Sequence, residues 1–363
     1  MSGSKILFYT HALVGGGAER VWARLASGLA ARGHEVDFVV DFEDDANRSL
    51  ISQAVRLRVL PSGHLASTRA LAAILRRERP AVSLSAISAA NLKHAVAAGL
   101  AGRLDRAILS YHGFAESEPQ RLSQIAYRLT PILSRRAAAT VAVSRALRAD
   151  TISRFGAASE RVLALANPAA PEPFPAPVAA GDLAARAPVV LALGRLVPDK
   201  AFETLLAAFA NLRDSDARLV ILGEGPGRAA LEAEIARLGL SGRVDMPGFV
   251  ADTARWFQQA RCFALSSRRE SFGLVCVEAL SFGLPCVVTR SGGPEEIVDD
   301  PALGVVIEPG DVAGLTRALD AALAAPGDPA PRQARARAYS LDAALDRYEE
   351  LIARVVSHAR SPA

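Results

Sequence analysis

The chain opens with Lys5-Ile-Leu-Phe-Tyr-Thr10, continues through Leu13-Val-Gly-Gly-Gly-Ala-Glu-Arg20 into a periodic run ending near Ala31, and resumes at Glu35-Val-Asp-Phe-Val-Val40. A short apolar run, a glycine turn, an amphipathic run and a second apolar run spell strand, loop, helix, strand. That order opens a doubly wound parallel sheet. Outward from it the alternation persists, with helices predicted near 67–79, from Asn91, over 120–136 and over 145–155. Strands fall at 81–84, 106–111, 139–143 and 162–165. Residues 171–187 alternate prolines with little periodicity and read as a stiff extended linker. The pattern then restarts at Pro188-Val-Val-Leu-Ala-Leu193. We therefore expect an α/β chain of two doubly wound Rossmann-like domains facing a cleft, 1–170 and 188–340. A final amphipathic helix, within 341–363, is expected to pack back on the first domain.

Length and composition agree with two cores. Of 363 residues half are apolar, and no apolar run reaches the roughly 18 residues of a membrane span. The first residues lead directly into a strand, so no signal peptide is read. Cys262, Cys276 and Cys286 sit in apolar surroundings without metal-ligand spacing, which fits reduced core thiols and the cytoplasm. Residues 1–170 carry 22 basic and 13 acidic side chains, the remainder 20 and 25. A basic first half favours an anionic partner such as a lipid surface, a lipid diphosphate or a charged glycan. Nucleic acid is not favoured, because the basic residues lack interleaved aromatics and a reading motif.

Ligands of open parallel sheets bind beyond the carboxyl ends of strands. Gly15–17, His112, Ser144 and Asn167 follow first-domain strands. Arg195, Lys200, Gly223–227, Phe249, Val250, Glu270, Gly292 and Gly293 follow second-domain strands. In Glu270-Ser-Phe-Gly-Leu-Val-Cys-Val-Glu278 a strand turns into a helix whose first free amides come from residues 273–275. Such an N-terminus suits phosphate, and a nucleotide-sugar would place its diphosphate there, its sugar at Glu270 and its ribose at Glu278. The plainer reading is a first-turn acid on a buried helix. Gly194-Arg-Leu-Val-Pro-Asp-Lys200 sets two cations near one loop, suited to a diphosphate, unless Asp199 and Glu203 pair with them. Only three lysines stand against 39 arginines, so Lys200 departs from the chain's habit. Asp214-Ser-Asp216 precedes its strand, on the wrong side for a metal site. Arg20 occupies the third-glycine position of a dinucleotide fingerprint, which argues against NAD despite Asp41 near the expected acidic position.

Taken together, Gly-Gly-Gly-Ala-Glu-Arg, Val-Ala-Val-Ser-Arg-Ala-Leu near 144, Gly194-Arg-Leu to Lys200, Leu-Gly-Glu-Gly-Pro, Pro-Gly-Phe-Val, the pair Glu270 and Glu278, and Gly292-Gly-Pro-Glu-Glu-Ile resemble the retaining family 4 glycosyltransferases of GT-B fold. The resemblance covers nearly the whole chain in order. It implies that Arg195 and Lys200 hold the donor diphosphate, with Gly16 and Gly17 approaching it. It implies that Glu270 contacts the donor sugar, that Phe272, Gly273, Leu274 and Val275 offer amides, and that Glu278 binds ribose. Val250 would meet the base through its backbone, and His112 the sugar's primary hydroxyl. It further implies same-face displacement with the departing diphosphate taking the acceptor proton, no metal, and no cofactor beyond a nucleotide-sugar, UDP-sugar being favoured. Asn167 precedes Pro168 where many relatives have glycine, which keeps hexose and N-acetylhexosamine donors both in view.

The expected activity is transfer of a hexose or N-acetylhexosamine to a glycan or lipid-linked acceptor in cell-surface polysaccharide or glycolipid assembly. A UDP-sugar 2-epimerase of the same fold and a non-catalytic nucleotide-sugar binder are the rival readings. The predicted helix over 120–136 carries Leu122, Ile125, Leu129, Ile132 and Leu133 beside Arg121, Arg128, Arg135 and Arg136. It reads as a core helix kinked at Pro131, or as a contact with anionic lipid on the inner face of the plasma membrane, with Arg76, Arg77 and Arg79 adding charge.

Overall fold

The computed structural model describes residues 3–14, 16–42 and 48–358. Gly15 of the glycine loop and residues 359–363 of the terminal segment lie outside these. The chain forms two compact units: residues 1–168 with 341–363, and residues 169–340.

The first unit holds seven parallel strands: β1 (Lys5–Thr10), β2 (Glu35–Val40), β3 (Arg56–Val59), β4 (Val82–Ala86), β5 (Ala107–Tyr111), β6 (Ala139–Ala142) and β7 (Val162–Ala164). Their order is β3-β2-β1-β4-β5-β6-β7, so the direction of winding reverses between β1 and β4. β1, β4 and β5 are almost wholly buried, the expected result for strands covered by helices on both faces. Those helices are α1 (Gly17–Ala31), α2 (His64–Glu78), α3 (Ser88–Leu100), α4 (Arg121–Arg136) and α5 (Arg145–Ser153). Leu7, Tyr9, Leu71, Leu75 and Ala97 form one buried cluster beneath α2 and α3.

β3 has no counterpart in the sequence reading. Its Arg56 and Arg58 alternate with apolar residues, and both guanidiniums bond the buried carboxylate of Asp37 in β2. A charged edge strand of this kind lacks the continuous apolar run used to find the others.

In the second unit α6 (Ala180–Ala185) precedes six parallel strands: β8 (Val189–Leu193), β9 (Arg218–Leu222), β10 (Val244–Gly248), β11 (Cys262–Leu265), β12 (Cys286–Thr289) and β13 (Gly304–Ile307). The order is β10-β9-β8-β11-β12-β13, with the reversal between β8 and β11. Between and after the strands run α7 (Phe202–Ala210), α8 (Arg228–Arg237), α9 (Ala254–Gln259), α10 (Leu274–Ser281), α11 (Pro294–Ile297), α12 (Val312–Ala324) and α13 (Ala330–Arg337). Leu205, Phe209, Leu219, Ile221 and Leu319 centre its core.

The stretch 171–187, read from the sequence as a stiff extended linker, belongs to the second unit. Leu183 of α6 is fully buried, and Gln333 of α13 bonds the backbone at Ala176 and Val178. The Arg337 guanidinium lies 4.0 Å over the Phe174 ring. Prolines here supply a strap against the second unit, a use of extended chain that composition cannot separate from a free linker.

The chain then returns to the first unit as α14 (Leu341–His358). Leu345 packs so closely on α1 that a Cβ at Gly28 would stand 2.7 Å from it. Arg32, at the end of α1, bonds Asp342, Asp346 and Glu349 of α14.

α4 departs in part from its expectation. Its buried face is Ser123, Ala126, Tyr127, Thr130 and Ser134, while Leu122, Ile125 and Ile132 are 37%, 41% and 50% exposed. Small and hydroxyl side chains let α4 lie close to α3, and Thr130 shares a 3.0 Å hydrogen bond with Tyr111 of β5. Leu129 and Leu133 of the same stripe are half-buried, Leu133 packing on Ala95, Leu109 and Ala137, so the core-helix reading holds only for part of the stripe. Pro131 sits inside a helix assigned without a break.

Candidate active site

The richest chemistry gathers where the second sheet reverses. β8 and β11 are direct neighbours, and the loops leaving their carboxyl ends are stitched together. Ser266 donates its hydroxyl to the Lys200 carbonyl at 2.9 Å, and the Arg268 amide donates to the Asp199 carbonyl at 2.7 Å. The Lys200 side chain lies across Gly194, 3.2 Å from where a Cβ would be. Gly223 is held at φ 139°, and a Cβ would fall 2.0 Å from the Gly194 carbonyl oxygen.

The Lys200 ammonium donates to the Glu270 carboxylate, with the two side chains only 20% and 15% exposed. Glu203, an alternative partner read from the sequence, is bonded to Arg268 at 2.6 Å. Arg195 is exposed, and among the described residues no hydrogen bond or ion pair engages its guanidinium. Glu270 is fixed through its backbone as well. Its amide donates to the Ser291 carbonyl at 2.9 Å, and its carbonyl accepts from the Gly293 amide at 2.8 Å. Glu295 caps the same loop by accepting from the Ser291 and Gly292 amides. A Cβ on Gly293 would lie 2.3 Å from the Phe272 backbone, so only glycine fits.

Gly273 then takes the left-handed conformation, φ 94°, and α10 begins at Leu274 with no side chain capping it and no acid in its first turn. Leu274 and Val275 are half-buried, whereas Phe272 is buried edge-on against Tyr339. Glu278 follows on the second turn of α10, half-buried. Val250 is half-buried beyond the end of β10, next to Phe249, which is 73% exposed. An uncapped helix start beside a lysine and a free arginine is electrically suited to a multiply charged anion.

Asp214 and Asp216 precede β9, at the amino end of the sheet, and the Asp214 carboxylate accepts from the Asp216 amide. Among the described residues no cluster of three or more His, Cys, Asp or Glu side chains is placed to hold a metal ion. All three cysteines are buried free thiols, with Cys262 pushed up to about 12 by burial.

In the first unit Gly16 is the N-cap of α1 and Gly17 its first residue. The Glu19 carboxylate turns back to this helix start, where a Cβ on Gly16 would lie 2.2 Å from it. Burial holds the Glu19 carboxyl above its usual range, and Glu118 is raised by the same cause. His112 follows β5 and shares a 3.0 Å hydrogen bond between Nε2 and the Ser110 hydroxyl. Desolvation pushes its pKa down to about 3, so the ring is neutral. The sequence reading missed Glu19, Glu118, Ser266 and Glu295. Glu19 lay within the quoted glycine loop and Glu295 within the quoted Gly292-Gly-Pro-Glu-Glu-Ile stretch, while no spacing rule marked Glu118 or Ser266.

Models of two families match in tandem: Glycosyltransferase Family 4 over residues 15–172 and Glycosyl transferases group 1 over 179–341. The lipopolysaccharide core biosynthesis glycosyltransferase LpsE of Rhizobium meliloti is 38% identical over 139 residues, 38% of this chain and 40% of LpsE. A GDP-mannose-dependent phosphatidylinositol monomannoside mannosyltransferase of Mycolicibacterium smegmatis is 32% identical over 166 residues, 43% of this chain and 44% of that protein. The match thus spans less than half the length of these relatives. Anabaena HepE in complex with UDP-glucose superposes with a TM-score of 0.80 at 23% identity, covering 98% of this chain and 100% of that one. Two parallel-sheet α/β units matching such structures define the GT-B class of fold. Within that class the chain belongs to the family 4 glycosyltransferases.

Proposed function

We propose that the protein transfers a hexose or N-acetylhexosamine from a nucleotide-diphosphate sugar, UDP-sugar being favoured, to a glycan or lipid-linked acceptor. The observation that carries this reading is the Lys200–Glu270 pair at the β8/β11 reversal, with unpaired Arg195 on the same loop and the uncapped start of α10 after it. Arg195 and Lys200 bind the diphosphate, and their charge stabilises it as it departs. The amides of Leu274 and Val275 add donors. Glu270, released from Lys200 when phosphate arrives, accepts hydrogen bonds from sugar hydroxyls, and Glu278 accepts from the ribose.

Anomeric configuration is retained by same-face displacement, the departing diphosphate accepting the acceptor's proton. With two cations in place the reaction proceeds without a metal. The resemblance assigns donor contacts to His112, Gly16 and Gly17 as well. Incubation with a panel of UDP- and GDP-sugars, with and without glycan acceptors, tests the reading. Turnover that needs an acceptor supports it, and conversion of the nucleotide-sugar alone would replace it with epimerisation.

We further propose that the protein works in the cytoplasm against an anionic membrane surface, through α4. Four exposed arginines, Arg121, Arg128, Arg135 and Arg136, accompany its exposed Leu122, Ile125 and Ile132. No helix among the described residues is long and apolar enough to cross a membrane, so contact would be peripheral.

A further inference from the structure

Beyond the end of β11 the Glu270 backbone forms an isolated parallel bridge with Gly292. The place of its carboxylate is therefore tied to that of residues 291–293. Those residues run into α11, a single turn of four residues. Glu295 of that turn accepts from the Ser291 and Gly292 amides at 3.0 and 2.9 Å, so turn and loop move as one. A lone turn does not hold itself, because nucleating a helix costs more than its first hydrogen bond returns.

α13 supplies the hold. The Arg335 guanidinium donates to the Glu296 carbonyl at 2.6 Å and to the Ile297 carbonyl at 3.1 Å. Carbonyls at the end of a helix need such outside donors. Asp299 balances the charge at 2.9 Å. Four residues further on, Tyr339 is buried, and the same guanidinium lies 5.3 Å over its ring. That ring stands edge-on to Phe272 at 5.7 Å. The Phe272 backbone abuts Gly293 so closely that a Cβ there would lie 2.3 Å away. Tyr339 is anchored in turn, its carbonyl accepting from the Ala169 and Ala170 amides at 3.0 and 3.1 Å. Both sides of the bridge are thus gripped, residues 291–297 through Arg335 and residues 270–272 through Tyr339.

We propose that Arg335 and Tyr339 are positioning residues that together fix the Glu270 carboxylate in place. The consequence for turnover rests on the proposed role of Glu270 in transfer; the bracing of the loop does not. Neither residue supplies a group to the proposed donor contacts. UDP should bind almost as well without them, since Arg195 and Lys200 sit on the loop that leaves β8.

Hydrogen–deuterium exchange of the full chain tests the brace, with turnover and UDP titration measured on the same samples. In Arg335→Ala and in Tyr339→Leu the amides of Glu270 and Gly293 should exchange roughly 10- to 100-fold faster, as local opening becomes easier. Amides of residues 202–222 should keep the parental rate. In both variants kcat should fall by up to about 10²-fold, the cost of a group displaced by about 1 Å. KM for the donor and UDP affinity should stay nearly unchanged. Arg335→Lys keeps a charge beside Asp299 but cannot fork between two carbonyls, and should fall between parent and Arg335→Ala. Tyr339→Phe keeps the ring and should behave as the parent. Parental exchange at Glu270 and Gly293 in both Arg335→Ala and Tyr339→Leu would overturn the proposal, as would a Tyr339→Phe as impaired as Tyr339→Leu. Faster exchange with kcat unaltered would leave the brace standing and remove Glu270 from the transfer step.

Discussion

At the scale of single residues, the proposed donor site depends on an asymmetry between two cations. Lys200 is held by Glu270, while Arg195 stands exposed with no partner among the described residues. Arg195 has nothing to give up on meeting a phosphate, whereas Lys200 must leave a carboxylate. Arg195→Ala should therefore weaken UDP binding by about 10- to 100-fold, matching a charge-assisted contact of roughly 1.5–3 kcal/mol. Uridine binding should hardly change, and titration calorimetry with both ligands checks this. The sequence made Arg195, Lys200 and Glu270 visible because each follows an apolar strand and because lysine is scarce here. It could not show that Lys200 and Glu270 pair, since 70 residues separate them and only the β8–β11 neighbourhood brings them together. Nor could it show Ser266 or Glu295, whose work is to hold backbone and whose residue types are common in loops.

At the scale of elements, the buried strands were the most legible part, being runs of Ile, Leu, Val and Phe covered on both faces. Two kinds of element escaped. β3 is an edge strand patterned by arginine, and α6 and α13 lie among prolines where helix signals are weak. α4 was found, but its apolar stripe is only partly covered, by Leu129 and Leu133. Periodicity places an apolar stripe on one side of a helix without saying which side the protein covers. Here the covered side is the one rich in serine, threonine and alanine, leaving three large aliphatic side chains outside with four arginines. If this stripe meets lipid, the protein should sediment with vesicles rich in anionic phospholipid, and raised salt should release it. Ile125→Asp should lower the bound fraction severalfold without loss of thermal stability, since Ile125 is 41% exposed. Equal sedimentation of parent and variant would remove α4 from membrane binding.

At the scale of the whole molecule, the chain is two units with separate cores, and the last helix belongs to the first. That arrangement places both strongly shifted histidines in one unit. His94 is fully buried between the Ser83 and Ser85 hydroxyls, each at 2.8 Å, and burial pushes its pKa down to about 3, as for His112. Both are depressed below the value of about 6.5 expected in an unfolded chain. Their contribution is present above pH 6.5 and is lost as pH falls toward 3, because the unfolded chain takes up protons that the fold refuses. Two such groups give a slope of up to about 2.7 kcal/mol per pH unit.

Glu19 and Glu118, raised by burial, act in the opposite sense. Their contribution is present at low pH and is lost as pH rises above the carboxylate range. Glu19 and Glu118 offset part of the histidine trend, so urea unfolding between pH 7 and 5 is compared between parent and variant: acid should weaken His94→Gln less than the parent, by up to about 1.4 kcal/mol per pH unit. In a Trp256→Phe background, Trp22 reports the first unit alone, since the chain has two tryptophans. An unaltered slope would mean that His94 does not titrate as its burial demands.

The central claim is that the second unit grips the diphosphate with its cations while Glu270 serves the sugar. The most direct measurement is paired turnover and UDP titration of Glu270→Ala. Turnover should fall by about 10²–10³, while UDP affinity should hold or tighten, because Lys200 is released from its carboxylate partner. Loss of UDP binding in step with turnover would contradict the account.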